Sequence, residues 1–173
     1  CSGFTFSLSV GSQLVASGRH DRALVIGADT MSSIIDYTDR TTCVLFGDAA
    51  GAVLLEPSDD ETGVLAFLNE VDGSGGDDLK MPAGGSRMPP SIETVEKRLH
   101  YVQQQGQQVF KYAVRRMADV AAQLLERNGF TSEQLTLVVP HQANLRMLEA
   151  IVRRNRSTLI FANSRRLAER TAE

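Results

Sequence analysis

The feature that most constrains the fold is a helical repeat. Val109, Phe110, Ala113, Val114, Met117, Val120, Ala121, Leu124 and Leu125 recur at three- and four-residue spacing, which predicts an amphipathic helix with a single apolar stripe. Asn128-Gly129 stops it by left-handed cap chemistry, and Thr131–Gln134 begins a short turn. Short apolar runs around this helix predict strands: Arg22–Gly27, Thr42–Phe46, Gly51–Leu55 and Leu135–Val139. The first is continuous and β-branched, the pattern of a strand covered on both faces. The second and third are separated by a small-residue stretch at Gly47–Gly51 and predict a hairpin or two neighbouring strands.

A second helix is predicted over Cys1–Ser17, ending at Gly18. Ser2 can cap it, Gly3 admits a close backbone, and Phe4, Phe6, Leu8, Val10, Leu14 and Val15 supply apolar mass. Leu145, Leu148, Ile151 and Val152 suit a further amphipathic helix. Helices alternating with short strands argue for an α/β architecture.

Composition narrows the function classes. The chain has 173 residues, 42% hydrophobic and 23% charged, with no Trp and a net charge of −3. These values exclude collagen-like, coiled-coil and disordered classes and a globally basic nucleic-acid binder. Two cysteines cannot build a disulfide scaffold, and free thiols suit a reducing, cytoplasmic setting. No apolar run approaches the roughly 20 residues of a membrane helix, and no basic leader with a small-residue cleavage site is visible. Residue 1 is Cys rather than Met.

Between Glu56 and Asp78 there are eight acidic residues and no basic one, with glycines interspersed. This loop-rich stretch places a seam at Pro57–Glu61, so the expected organisation is 1–58, 59–154 and a divergent tail, 155–173. The tail carries four arginines and few apolar residues, as a solvated terminus does.

Cys1 begins a predicted helix, where the N-terminal dipole and free N–H groups stabilise a thiolate. His141 follows a predicted strand and precedes a predicted helix, the usual position of a functional loop in α/β folds. Cys43 reads as a small buried hydrophobe, and His20 and His100 as surface histidines without metal-ligand spacing. Gly47–Gly51 lacks the Lys and following helix of a phosphate loop and reads as a tight turn. Lys111, Arg115, Arg116, Arg146, Arg153 and Arg154 in isolation read as a solvated face.

Five segments in order change this picture: Cys1-Ser-Gly-Phe-Thr-Phe-Ser-Leu-Ser-Val-Gly11, Thr38-Asp-Arg40, Val44-Leu-Phe-Gly-Asp-Ala-Ala-Gly-Ala52, Gly106-Gln-Gln-Val-Phe-Lys111 and Val139-Pro-His-Gln-Ala-Asn-Leu-Arg146. Together they resemble β-ketoacyl-acyl carrier protein synthase III, the initiating condensing enzyme of type II fatty-acid synthesis in bacteria. The resemblance runs from Cys1 to about Arg154. It implies a thiolase-like layered α/β fold of two similar halves. Members of that family are about twice this length, so the chain reads as the middle of such an enzyme, without its N-terminal strands and C-terminal end.

The resemblance implies that Cys1 is the nucleophile that accepts an acyl group from acyl-CoA, most simply acetyl-CoA, as a thioester. His141 then assists decarboxylation of malonyl-acyl carrier protein. Phe46 matches a residue of the acyl pocket, Arg40 one that packs on the CoA adenine, and Asn144 one near the pantetheine tunnel. For Asn144 a plain helix N-cap is an equal reading. Lys111 and Arg146 match a basic patch that docks the acidic carrier protein, a partner suited to electrostatic steering. Coenzyme A enters as a thioester substrate, with no separate cofactor and no metal. Neither nucleic acid nor membrane is an expected partner, and full-length members are homodimers.

The tail departs from the pattern. The family's third catalytic residue is an Asn in a Gly-Asn-Thr motif, whereas the corresponding region here reads Leu159-Ile-Phe-Ala-Asn-Ser-Arg-Arg166. Asn163 lies at the wrong distance and receives no role. The chain as it stands is therefore expected to lack activity by itself. Three further readings remain: a related polyketide or quinolone condensing enzyme, an amidohydrolase using Cys1 as an N-terminal nucleophile, and a binding protein lipid-anchored through Cys1. The second leaves the Pro140–Asn144 segment unexplained, and the third conflicts with the apolar helix directly after Cys1.

Overall fold

The structure, a computed structural model, describes residues 2–60, 62–139 and 141. It divides into two compact units, Cys1–Ala113 and Val114–Glu173. In the first, α1 (Gly3–Ala16) precedes β1 (Ala23–Asp29), a 3-10 turn (Met31–Ser33) and β2 (Ala49–Leu55). After the acidic stretch come a 3-10 turn (Gly73–Gly75), β3 (Leu79–Lys80), α2 (Ile92–Glu96) and β4 (Gln103–Gln104). Helix α3 (Gly106–Arg127) runs on into the second unit, where a 3-10 turn (Ser132–Gln134) follows.

The sheet that organises the first unit is a two-stranded antiparallel ribbon. β1 pairs with β2 from Ala23↔Leu55 to Asp29↔Ala49. Because side chains alternate across a strand, Val25 and Val53 share one face with Gly27 and Gly51, while Leu24, Ile26 and Leu54 share the other. Helix α1 packs on the first face, where Val25 is 5% and Val15 7% exposed. The approach is close: a Cβ on Gly11 would stand 2.9 Å from Val25 Cγ2, and one on Gly27 would stand 2.9 Å from Phe4 Cβ. Glycine at these two positions lets helix and ribbon meet.

Several expectations are corrected here. β1 is not covered on both faces among the described residues, since Leu24 and Ile26 are 62% and 59% exposed. Thr42–Phe46 is a turn leading into a bend-free link, not a strand. The Asp39 carboxylate accepts the Thr41 N–H at 2.9 Å and the Thr41 and Thr42 hydroxyls at 2.6 and 2.8 Å. Local side-chain bonds of this kind draw the backbone away from a ladder, and the partner of β2 is β1 rather than this segment. Leu135–Val139 forms no ladder among the described residues, only a bridge at Val138. Ser2 occupies the N-cap of α1 without a side-chain cap bond, and Gly3 has open space around it. His100 is half-buried rather than on the surface, with Nε2 2.9 Å from Thr94 Oγ1.

Helices α2 and α3 end in the same way. Beyond α2 the Leu99 N–H donates to the Thr94 carbonyl and the Arg98 N–H to that of Val95, at 3.0 and 2.9 Å. Beyond α3 the Phe130 N–H donates to the Leu125 carbonyl and the Gly129 N–H to that of Glu126, at 3.0 and 3.1 Å. Both are Schellman motifs, which put the residue after the C-cap into the left-handed region. That residue is Gly129 at φ +70° in α3 but Arg98 at φ +56° in α2.

Candidate active-site segments

The long link between β1 and β2 carries two of the sequence-predicted residues. Its start is held where Asp48 accepts the Ser32 N–H at 2.7 Å and the Ser32 hydroxyl at 2.5 Å. Asp36 closes a turn by accepting the Thr38 N–H and hydroxyl at 2.9 and 2.6 Å, and Asp39 closes the next. Arg40 stands exposed inside the second of these turns, between Asp39 and Thr41. Phe46 is half-buried just ahead of Asp48. Hydrogen bonds that favour the charged form hold the carboxyls of Asp36, Asp39 and Asp48 below the ordinary 3.8. For Asp36 the largest cause is Arg98, for Asp39 Thr41 and for Asp48 Ser32.

Lys111 is exposed on the second turn of α3, and Arg115 is exposed one turn further on. Of the predicted stripe, Val109, Phe110, Ala113, Met117, Val120, Leu124 and Leu125 are half-buried, whereas Val114 and Ala121 are exposed. His141 lies exposed beyond the Val138 bridge. Partial desolvation of its ring, the largest cause, lowers its pKa from the ordinary 6.5, which favours the neutral imidazole. Cys1, Asn144 and Arg146 lie outside the described residues. So the structure brings Arg40 and Phe46 onto one link, and places Lys111 and His141 on separate elements.

The sequence reading missed Arg98, Asp36 and Tyr101. The Arg98 guanidinium donates to Asp36 through Nε at 2.9 Å and Nη2 at 2.5 Å, and lies 5.0 Å from the centroid of the Tyr101 ring. These partners are 62 residues apart in the chain, and no periodicity signals them. Among the described residues no cluster of His, Cys, Asp and Glu could hold a metal, and no helix is long and apolar enough to cross a membrane. Cys43 is a free, half-buried thiol.

The described architecture has close counterparts. One solved 3-oxoacyl-(acyl-carrier-protein) synthase III superposes with a TM-score of 0.80 at 28% identity, covering 89% of this chain and 49% of that one. The enzyme of that name from Pseudomonas aeruginosa PAO1 superposes with a TM-score of 0.74 at 37% identity, covering 88% and 46%. The fold is therefore that of the thiolase-like condensing enzymes. Within that class, residues 1–73 match the family 3-oxoacyl-[acyl-carrier-protein (ACP)] synthase III. The beta-ketoacyl-[acyl-carrier-protein] synthase III of Solibacter usitatus (strain Ellin6076) is 60% identical over 153 residues, 87% of this chain and 46% of that protein. The chain belongs to the β-ketoacyl-acyl carrier protein synthase III family, and it spans about half the length of the curated relatives it matches.

Proposed function

We propose that the chain contributes the nucleophile and the decarboxylation histidine of a condensing enzyme that joins an acyl-CoA primer, acetyl-CoA in the simplest case, to malonyl-acyl carrier protein. The observation that carries this reading is the 60% identity with a β-ketoacyl synthase III. Cys1 lies two residues ahead of the first residue of α1, and free N–H groups at a helix start favour a thiolate. The thiolate attacks the acyl-CoA carbonyl and expels CoA as a thiolate, leaving the acyl group on sulfur. Malonyl-acyl carrier protein then loses carbon dioxide, and the electron pair of the broken bond forms an enolate. His141, kept neutral, donates an N–H to the enolate oxygen, as an oxyanion hole does. The enolate carbon attacks the Cys1 thioester. Collapse of the tetrahedral adduct returns the Cys1 thiolate and releases 3-oxoacyl-acyl carrier protein.

In this reading Phe46 lines the acyl pocket, Arg40 stacks on the CoA adenine, and Asn144 borders the pantetheine channel. Lys111 and Arg146 receive the acidic carrier protein, and the assembled enzyme is a cytoplasmic homodimer. Coenzyme A arrives as substrate, with no further cofactor.

The test replaces the aligned span of the Solibacter usitatus relative with the corresponding residues of this chain. Acetyl-CoA and malonyl-acyl carrier protein should then give the 3-oxoacyl product. Cys1→Ala should abolish both enzyme acetylation, read by intact mass, and condensation. His141→Ala should keep acetylation and lose decarboxylation. Condensation that survives Cys1→Ala overturns the reading.

A further inference from the structure

Two helices in this chain stop with the same motif, yet they fill its left-handed position differently. After α3 that residue is Gly129, which adopts φ +70° without a steric penalty. After α2 it is Arg98 at φ +56°, a conformation that a side chain makes unfavourable. A non-glycine residue held there points to a use for its side chain. That side chain leaves the helix end and grips Asp36 through two parallel bonds, Nε to Oδ2 at 2.9 Å and Nη2 to Oδ1 at 2.5 Å. Such a fork fixes orientation as well as distance.

The grip has support on each side. The Tyr101 ring lies 5.0 Å from the guanidinium carbon, within cation–π range. The Val102 N–H donates to the Ile34 carbonyl at 2.9 Å, which keeps the segment after α2 alongside the start of the β1–β2 link. The Asp36 side chain is only 14% exposed, against 50% for Arg98. Asp36 also accepts both the N–H and the hydroxyl of Thr38, and Arg98 Nη2 reaches Thr38 Oγ1 at 3.3 Å. Thr38 stands two residues before Arg40, which lies inside the adjoining turn that Asp39 closes on Thr41.

We propose that Arg98 is a positioning residue: its two-point grip on Asp36, braced by Tyr101, fixes the paired turns that present Arg40 to the nucleotide end of coenzyme A. The inference rests on the Arg40 role proposed above. Arg98 itself touches no substrate in this scheme. It removes the freedom of the link before the ligand arrives, so that binding does not have to order it.

Arg98→Gly separates a positioning role from a structural one, because glycine suits φ +56° and preserves the helix stop while deleting the fork. In the 173-residue chain its melting temperature should be unchanged or higher. Amide exchange at Thr38, Thr41 and Cys43 should quicken by about tenfold or more, with β1 and β2 unaffected. Affinity for free coenzyme A, read by calorimetry, should fall severalfold. Arg98→Lys keeps the charge without the fork and should restore only part of it. Arg40→Ala should weaken coenzyme A binding similarly, and adding Arg98→Gly to it should cause no further loss. If Arg40→Ala weakens binding while Arg98→Gly leaves affinity and exchange at wild-type values, the clamp is overturned and the Arg40 reading stands. If Arg40→Ala binds coenzyme A as the wild type does, or the wild type binds none, the Arg40 reading falls and the clamp falls with it. Loss of melting temperature in step with affinity for Arg98→Gly also overturns a positioning role.

Discussion

Replacing Gly11 by Ala should destabilise the chain alone and stabilise it when Val25 is also cut back to Ala. Gly11 sits in the interior of α1, where Ala is favoured over Gly by about 1 kcal/mol. Against that gain stands the ribbon. The added Cβ would meet Val25 Cγ2 at 2.9 Å and Leu55 Cδ1 at 3.2 Å, well inside the ~3.5–4.0 Å of ordinary carbon contacts. Leu55 presents the far end of a flexible side chain, but Val25 is β-branched, stiff and 5% exposed. Overpacking of this kind costs about 1–3 kcal/mol, so Gly11→Ala should lose about 1 kcal/mol net, or ~2–4 °C in Tm for a chain of this size. Val25→Ala removes two carbons from a buried site and should cost about 2 kcal/mol. With Cγ2 gone, the helix-propensity gain is unopposed, and Gly11→Ala should raise stability by about 1 kcal/mol. The coupling between the two sites is then about 2 kcal/mol, measured by urea unfolding of the four proteins of the cycle with circular dichroism. A Gly11→Ala protein more stable than wild type, or additivity within about 0.5 kcal/mol, refutes the close packing of α1 on β1.

Three other outcomes follow from the same geometry. Gly129→Ala places a side chain at φ +70° and should lower stability by about 1–2 kcal/mol in a urea melt, with no loss for Ala at exposed Gly3. Asn69→Ala removes the Nδ2 donor that meets the buried Ser9 hydroxyl at 2.7 Å, and should cost about 1 kcal/mol, since Ser9 keeps its own bond to the Phe6 carbonyl. His141 should titrate below 6.5 in an imidazole NMR experiment. A lowered histidine pKa means that the unfolded chain binds more protons between the two values, so stability rises with pH through that window and levels off above 6.5. A midpoint above 6.5 contradicts this.

Much of the fold was legible because it follows local rules. Most of the stripe from Val109 to Leu125 became the half-covered side of α3, Val114 and Ala121 excepted, and the glycine after Asn128 became its left-handed stop. Cys1–Ser17 contained α1 to within two residues. The misreadings share a cause. Thr42–Phe46 has strand composition, but Asp39 and two threonines settle it as a turn; the Asp-x-Thr spacing, twice in a row, was the overlooked signal. β1 has the composition of a doubly covered strand, while α1 lies on one of its faces only. Among the candidate site residues, Arg40 and Phe46 were named through motif resemblance alone, and the structure gives their place on the β1–β2 link. The grip of Arg98 on Asp36 joins elements 62 residues apart, and only a folded structure brings such pairs together.

The link between β1 and β2 also has a cost in chain entropy. A two-residue hairpin would close the same ribbon with little freedom lost, whereas this chain inserts residues 30–48 between the paired ends Asp29 and Ala49. Each doubling of loop length adds about 0.6 kcal/mol to closure, and the insertion is about three doublings longer, a penalty of about 2 kcal/mol. The carboxylates of Asp36, Asp39 and Asp48 offset it by dividing one long floppy loop into several short closed ones. Their charged forms persist below the ordinary 3.8, so the division holds across neutral and mildly acidic pH and is released as pH falls below that value. The segment that carries Arg40 and Phe46 thus keeps its order through charge, whereas the ribbon beneath it keeps its own through apolar packing. Acid should melt the first while leaving the second standing.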